Sequence, residues 1–332
     1  MNQVKSAIIL VGGMGTRMQP LTYSTPKPML LLAGIPFTEH QIVKAREAGI
    51  EEIVLATSYL PEVFKPHFGD GSRFGINISY AVEESALGTG GAIRNASTLL
   101  KTDGPVVIFN GDVLSSHDLT EQMDLHISNA ADVTLYLTEV SDARAFGVVE
   151  LSAAGRVLTF NEKMENPPSQ IINAGCYIFS RDVIDEIPAG EVISVERSTF
   201  PELLARGSKI YGFLDSSYWL DIGTPSALLK ATSDLISGVA KSSAFDSALA
   251  RQFIRRTGAG ATGPEAIIHL GASIEDGTFI GEAATIFESR VSHCSIGSGA
   301  VVGLKSVLIN TFVAPGFSVP PGTMADGAFL GF

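Results

Sequence analysis

Aliphatic side chains recur every six residues near the carboxyl end of the chain, at Ile268, Ile274, Ile280 and Ile286. After a slip of phase the beat resumes at Ile296, Val302 and Leu308, and glycine follows at Gly281, Gly297 and Gly303. A six-residue period with small partners fits a left-handed parallel β-helix, in which each hexad forms one face of a triangular coil. The competing reading is a run of antiparallel strands with an accidental period. The return of the period after a break favours the β-helix, of which about three coils fit before Phe332.

The preceding residues alternate short apolar runs with helical patterns. Ala7–Val11, Ile53–Thr57, Asn77–Val82 and Val106–Phe109 read as strands. Thr38-Glu39-His40-Gln41 has the form of a capping box opening a helix that Gly49 can end, and Asp118 can cap a helix running through His126. Continuously apolar strands alternating with helices predict a mostly parallel sheet covered on both faces. Val133–Leu137, Gly147–Leu151, Val157–Phe160 and Cys176–Phe179 predict an antiparallel extension of it. The expected organisation is a Rossmann-like α/β domain with a mostly parallel mixed sheet over residues 1–235, a helix and small-residue linker over 236–263, and a short left-handed β-helix over 264–332.

The charge balance narrows the partners. With 23 Lys+Arg against 35 Asp+Glu the net charge is -12, which argues against bulk binding to nucleic acid or an anionic membrane. Anionic substrates would then need positive charge concentrated at a site. A chain with 45% hydrophobic and 17% charged residues is not a disordered one. Cys176 and Cys294 are far apart and read as free thiols in a reducing compartment. The run Ala7–Val11 is shorter than the ~7–15 residues of a signal-peptide core, which predicts a cytoplasmic protein.

The densest motif is Gly12-Gly13-Met14-Gly15-Thr16-Arg17, continuing through Pro20-Leu21-Thr22 to Pro26-Lys27-Pro28. It begins at the carboxyl end of the first strand, where open α/β sheets bind ligands. Glycines there let backbone N–H groups approach phosphate oxygens. No Gly-Lys-Ser/Thr follows, so the loop is not a P-loop, and Met18 stands where a dinucleotide fingerprint needs a third small residue. Arg17 and Lys27 put two cations beside the loop, and Pro26 and Pro28 predict a stiff, extended setting for Lys27. The string Gly258-x-Gly260-x-x-Gly263 also matches a dinucleotide pattern, but it lies in the expected linker without a strand before it.

On these residues the chain resembles the nucleoside-diphosphate-sugar pyrophosphorylases, or sugar-1-phosphate nucleotidyltransferases. Leu87-Gly-Thr-Gly-Gly91, Asn110-Gly-Asp112, Phe146-Gly147, Glu162-Lys163, Asn173-Ala-Gly175 and Trp219-Leu-Asp221-Ile-Gly-Thr-Pro225 match further family motifs in order. The resemblance implies a Rossmann-like nucleotidyltransferase domain and attack by a sugar-1-phosphate oxygen on the α-phosphorus of a nucleoside triphosphate. It implies Arg17, Lys27 and Lys163 as catalytic cations, and Asp112 and Asp221 as ligands of one Mg²⁺. Leu10, Gly12, Gly13, Gly15, Thr16, Arg17, Glu83, Leu87 and Gly88 would line the nucleotide site. Asp112, Gly147, Glu162, Lys163 and Asn173 would hold the sugar phosphate.

Read alone, several of these residues have plainer uses. Asp112 is also a turn residue, Asp221 a helix cap before Pro225, Gly147 a strand bulge, and Glu162–Glu165 a solvated loop. If Glu162 and Lys163 both face a cleft, a regular strand is excluded there, because neighbours in a strand point to opposite faces. Glu83 bears on the base. Guanine offers two adjacent donors that one carboxylate can accept, whereas thymine and uracil place an acceptor beside their donor. The family branch with a short β-helix tail implies GTP and mannose 1-phosphate as substrates. The same chemistry on glucose 1-phosphate with dTTP or ATP stays open, as does a non-catalytic regulatory relative. His269 and His293 on the β-helix raise a third option, an active acyl-transferring β-helix, against which the short tail argues. Assembly of copies through the tail is also expected.

Overall fold

The computed structural model describes residues 3–13, 15–58, 61–247, 253–257 and 259–332. Met14, in the glycine motif, and Gly258 lie outside them. The chain divides into two compact units: residues 1–13, 41–113 and 117–219, and residues 14–40, 114–116 and 220–332.

The first unit is built on one mixed sheet. β1 (Ser6–Leu10), β2 (Glu52–Thr57), β3 (Asn77–Val82) and β4 (Val106–Asn110) run parallel, with β1 between β4 and β2. The residues of β1, β2 and β4 are almost all buried, as strands covered on both faces must be, whereas β3 at the edge is only partly buried. The register aligns Leu10 with Ala56 and Asn110, and Thr57 with Val82. The segments leaving the carboxyl ends of β1, β3 and β4, which begin with Val11, Glu83 and Gly111, therefore emerge along one edge.

The antiparallel extension forms as expected and reaches further. β5 (Val133–Glu139), β6 (Gly147–Leu151), β7 (Val157–Glu162) and β8 (Ile171–Phe179) follow, with β8 pairing antiparallel to β4, β5 and β6. β8 begins five residues before the predicted Cys176 because Ile171–Asn173 pair with Leu137–Glu139. The interior joins Ile8, Val54, Ile108, Leu135, Tyr177, Phe179 and Phe200 in one cluster.

The helix carrying Thr38 begins at Phe37 and ends at Glu47 (α1), with Gly49 left-handed beyond it at φ 88°. The capping box is not made. The Thr38 hydroxyl donates to the Pro28 carbonyl at 2.9 Å, and the Gln41 amide turns to the Asn110 carbonyl at 2.8 Å. Buried carbonyls need donors more than a first helical turn does. Asp118 does cap: its Oδ1 accepts from the N–H groups of Thr120 and Glu121, at 2.8 and 3.1 Å, and starts α2 (Leu119–Ser128).

The second unit contains α3 (Pro225–Ser237), capped by Thr224 and ended by left-handed Gly238. It also contains the left-handed β-helix. One face of the coil is a ladder of Gly260–Thr262, Phe279–Ile280, Ser295–Ile296, Phe312–Val313 and Phe329–Leu330. The coil thus starts inside the stretch expected as a linker, where small residues are needed for close approach. A Cβ on Gly260 would lie 2.6 Å from Ile274, and one on Gly263 2.7 Å from the Glu282 backbone. The slip of phase also has a cause. Phe279 pairs with Ser295, a shorter coil than the one that pairs Ala261 with Phe279. Ile280, Ile286, Val291, Ile296, Val302 and Leu308 fill the interior.

The rest of the glycine-motif segment, residues 15–40, belongs to this unit and packs within it. Gly34, at φ 86°, faces the Phe279 ring so closely that a Cβ would sit 2.2 Å from Cζ. His40 is fully buried, Nδ1 on the Ser242 hydroxyl at 2.6 Å and Nε2 by the Leu32 carbonyl. Burial pushes the imidazole down to about 4, so it stays neutral at physiological pH. Gly34→Ala should lower stability by roughly 2–4 kcal/mol, through a left-handed non-glycine residue and an overpacked ring. Thermal unfolding measures it; an unchanged melting temperature would contradict the packing. No described helix is long and apolar enough to cross a membrane.

Candidate active site

In the second unit, Gly15 is left-handed (φ 59°, ψ 32°) and leads into a 3-10 turn, Thr16–Met18. Met18 is fully buried while Thr16 and Arg17 are exposed, so the turn is anchored by one side chain and presents the next. The Thr22 hydroxyl donates to the Gly15 carbonyl at 2.9 Å. A Cβ on Gly15 would press on the Lys27 Cβ at 3.0 Å, so this glycine admits the lysine stem. Lys27 is not extended as predicted. Pro26 is (φ -56°, ψ 143°), but Lys27 opens a 3-10 turn, Lys27–Met29, whose first positions need no N–H from Pro28.

Asp221 ends a short strand, Trp219–Asp221, and is not a helix cap; Thr224 has that role. Arg17 and Asp221 border one small volume above Gly223. A Cβ on Gly223 would lie 3.2 Å from an Arg17 guanidinium nitrogen and 3.3 Å from Asp221 Oδ2. A side chain there would fill the space between cation and carboxylate.

In the first unit, Gly12 and Gly13 follow β1. The Ser58 hydroxyl donates to the Gly12 carbonyl. Asp112 lies half-buried in the turn after β4, beside Gly111, whose N–H donates to the Leu10 carbonyl at 3.0 Å. A Cβ on Gly111 would stand 2.2 Å from that carbonyl oxygen.

Glu83 follows β3 and accepts the Leu87 N–H at 2.9 Å, closing the turn into the helix Gly88–Ser97. The glycines of that motif have a packing reason. A Cβ on Gly88 would lie 2.5 Å from the Ile193 carbonyl oxygen, and one on Gly91 2.4 Å from that of Glu191. Thr89 donates to Glu196 at 2.9 Å and accepts the Val195 N–H. The motif is thereby clasped to a single π-helical turn, Val195–Thr199, a type of turn frequent at functional sites.

Glu162 ends β7, and Lys163 leaves the strand with a left-handed φ of 54°, the break that the shared-cleft reading requires. Lys163 Nζ stands 3.8 Å from Glu162 Oε1. Burial and the nearby Glu196 carboxylate raise the Glu162 carboxyl above its usual range, against the pull of Lys163. Gly147 pairs in register with Glu162, so it is no bulge; a Cβ there would meet the Phe160 ring at 2.7 Å and Glu162 Oε2 at 3.0 Å. Asn173 is held at both ends: its amide donates to the Tyr177 hydroxyl at 2.9 Å, and its oxygen accepts the Gly175 N–H at 3.2 Å. Tyr177 in turn donates toward Glu196 at 3.4 Å. Sequence reading missed Glu196. Its only signal is a Glu-Arg pair that resembles a solvated face, and through-space contact with Thr89, Ser194 and Tyr177 sets it apart.

The donor set bears on a metal ion. Among the described residues no three His, Cys, Asp or Glu side chains are gathered to hold an ion by themselves. Asp112, in the turn after β4 of the first unit, and Asp221, at the end of the strand Trp219–Asp221 of the second, each offer hard carboxylate oxygens. Few carboxylates completed by phosphate oxygens is the set a divalent cation such as Mg²⁺ accepts.

The Nucleotidyl transferase family matches residues 6–238. The chain belongs to this family. It is similar to the mannose-1-phosphate guanylyltransferase of Mycobacterium tuberculosis H37Rv, 44% identical over 325 residues, which cover 98% of this chain and 79% of that one. The mannose-1-phosphate guanyltransferase of Saccharomyces cerevisiae is 34% identical over 70% of this chain and 65% of its own length, so this chain spans just under two thirds of the yeast protein. Among solved structures, HddC from Yersinia pseudotuberculosis superposes with a TM-score of 0.59 at 27% identity, over 69% of this chain and 98% of that one. HddC has also been solved in complex with GMP-PN. Nucleotidyl transferases act with a divalent metal on a nucleoside triphosphate and a sugar phosphate. Glu83 is the base-selecting residue that the sequence suggests, and its bond to Leu87 survives in a glutamine. Glu83→Gln should therefore keep the turn and lower the preference for GTP over dTTP by about tenfold, one hydrogen bond's worth. An unchanged ratio of kcat/KM values would show that another group reads the base.

Proposed function

We propose that the protein transfers a guanylyl group from GTP to mannose 1-phosphate, giving GDP-mannose and pyrophosphate. The observation that carries this is its likeness along 98% of its length to a mannose-1-phosphate guanylyltransferase. The phosphate, metal and sugar motifs of the family are all retained. An oxygen of the sugar phosphate bonds to the α-phosphorus while the bond to the β-phosphate oxygen breaks. The attacking oxygen is already anionic, so no general base is required. The residues' work is to position two repelling anions and to spread charge in an in-line displacement.

Arg17 is the group for the α-phosphoryl oxygens and the departing pyrophosphate, since its planar fork pairs two oxygens at once. The glycines at 12, 13 and 15 bring N–H groups to the same phosphates, with Lys27 beside them. Glu83, Leu87 and Gly88 line the base. Lys163 draws in the sugar phosphate, and Glu162, Asn173 and Glu196 accept or donate to its hydroxyls, with Gly147 leaving room. Asp112 and Asp221 are the metal carboxylates, and a bound Mg²⁺ would neutralise charge on the α-phosphate. Cytoplasmic location and assembly of copies through the β-helix belong to the same proposal.

The test is pyrophosphate release with Mg²⁺ over GTP, ATP, dTTP, UTP and CTP, each against mannose 1-phosphate and glucose 1-phosphate. A dominant GTP and mannose 1-phosphate signal is expected. Dominance of another pair would keep the chemistry and discard the substrate assignment. Silence from folded protein would favour a regulatory role.

A further inference from the structure

We infer that Gln41 is a positioning residue that holds the Asp112 turn in its working shape; this rests on the metal role proposed for Asp112. Gln41 lies on α1, outside the sequence motifs the family reading uses, and is 5% exposed. Its Nε2 donates to the Asn110 carbonyl at 2.8 Å and to the Val113 carbonyl at 3.2 Å. Those two carbonyls flank Gly111 and Asp112 on either side. One amide thus staples both ends of the turn that carries the carboxylate.

The orientation of the amide is fixed by its partners. Carbonyl oxygens only accept, so the Nε2 end must face them; the flipped rotamer would set Oε1 against two carbonyl oxygens. The third fixed point is Gly111, whose N–H is held by the Leu10 carbonyl at 3.0 Å. The turn that carries Asp112 is thus pinned through the backbone at Asn110, Gly111 and Val113. Outer groups that orient a metal ligand change affinity by tenfold to a hundredfold when removed, without touching the ion. The same bond explains why the capping box fails. Gln41 is spent on the turn, not on the helix.

The test uses the full-length protein. Gln41→Met keeps the length and bulk and removes the donors. Its Mg²⁺ half-saturation in the pyrophosphate assay should rise about tenfold. In metal-free protein, hydrogen exchange of the peptide spanning residues 106–114 should quicken while other segments keep their protection. That readout needs no turnover. A parent-like Mg²⁺ curve together with parent-like exchange would overturn the inference. If Gln41→Met fails to fold, Gln41→Glu keeps the shape and replaces the donor, and the same two measurements decide. Asp112→Asn is the control. If Asp112→Asn retains normal Mg²⁺-dependent turnover, the metal reading itself falls. If it is inactive while Gln41→Met is normal on both readouts, only the positioning role falls.

Discussion

Arg17→Ala should lower kcat/KM by about 10³-fold or more and leave the fold intact. The size follows from the chemistry. A guanidinium that meets charge developing on phosphate oxygens contributes roughly 10³- to 10⁵-fold in phosphoryl transfer, and a single preorganised donor to an oxyanion about 10²- to 10³-fold. The preserved fold follows from position. Met18, not Arg17, anchors the turn, and Arg17 is exposed. Arg17→Lys should recover only part of the loss, because a point charge cannot pair two oxygens in one plane. The measurement is steady-state pyrophosphate release beside thermal unfolding. Equal losses in rate and in melting temperature would turn the effect into one of folding. A variant with parent rates would remove Arg17 from the phosphates.

The legible parts of this chain are those in which a local pattern has a local cause. The β-helix is announced by its hexads because every coil buries one aliphatic residue per face, and even the phase slip maps onto one shorter coil. The parallel strands are legible because burial on both faces leaves an unbroken apolar run. The end of β7 is only partly legible: its apolar run stops at Phe160, but pairing with Gly147 carries the strand to Glu162 before Lys163 turns left-handed. The illegible parts depend on partners distant in sequence. Thr38 and Gln41 carry a cap's signature but serve carbonyls at Pro28 and Asn110. The glycines from Gly88 to Gly91 suggest a ligand loop, yet the backbone of residues 191–193 is what crowds them. Glu196 has no motif of its own, and Phe279 of the tail packs on Gly34, 245 positions away in sequence. None of these has a signal in spacing or composition.

Asp112→Asn should reduce Mg²⁺-dependent turnover by about 10³-fold, with a melting temperature near that of the parent. Asparagine has the shape of aspartate, and the backbone anchors of the turn, at Asn110, Gly111 and Val113, are kept in the variant. The charge is what is lost. A neutral amide oxygen is a weaker ligand for a hard dication, and the α-phosphate then loses part of its neutralisation as the fifth oxygen approaches. On the proposed metal role of Asp221, the loss should be partly relieved by raising Mg²⁺, so the rate should still climb at concentrations where the parent is saturated. Asp221→Asn should behave likewise, with an added effect on Arg17, which borders the same space above Gly223. The double variant should fall no further than the worse single one if the two carboxylates act as a unit. A titration of rate against Mg²⁺ for the four proteins decides. A parent-like half-saturation in Asp112→Asn would take Asp112 out of the metal site, and additive losses in the double variant would separate the two carboxylates into independent roles.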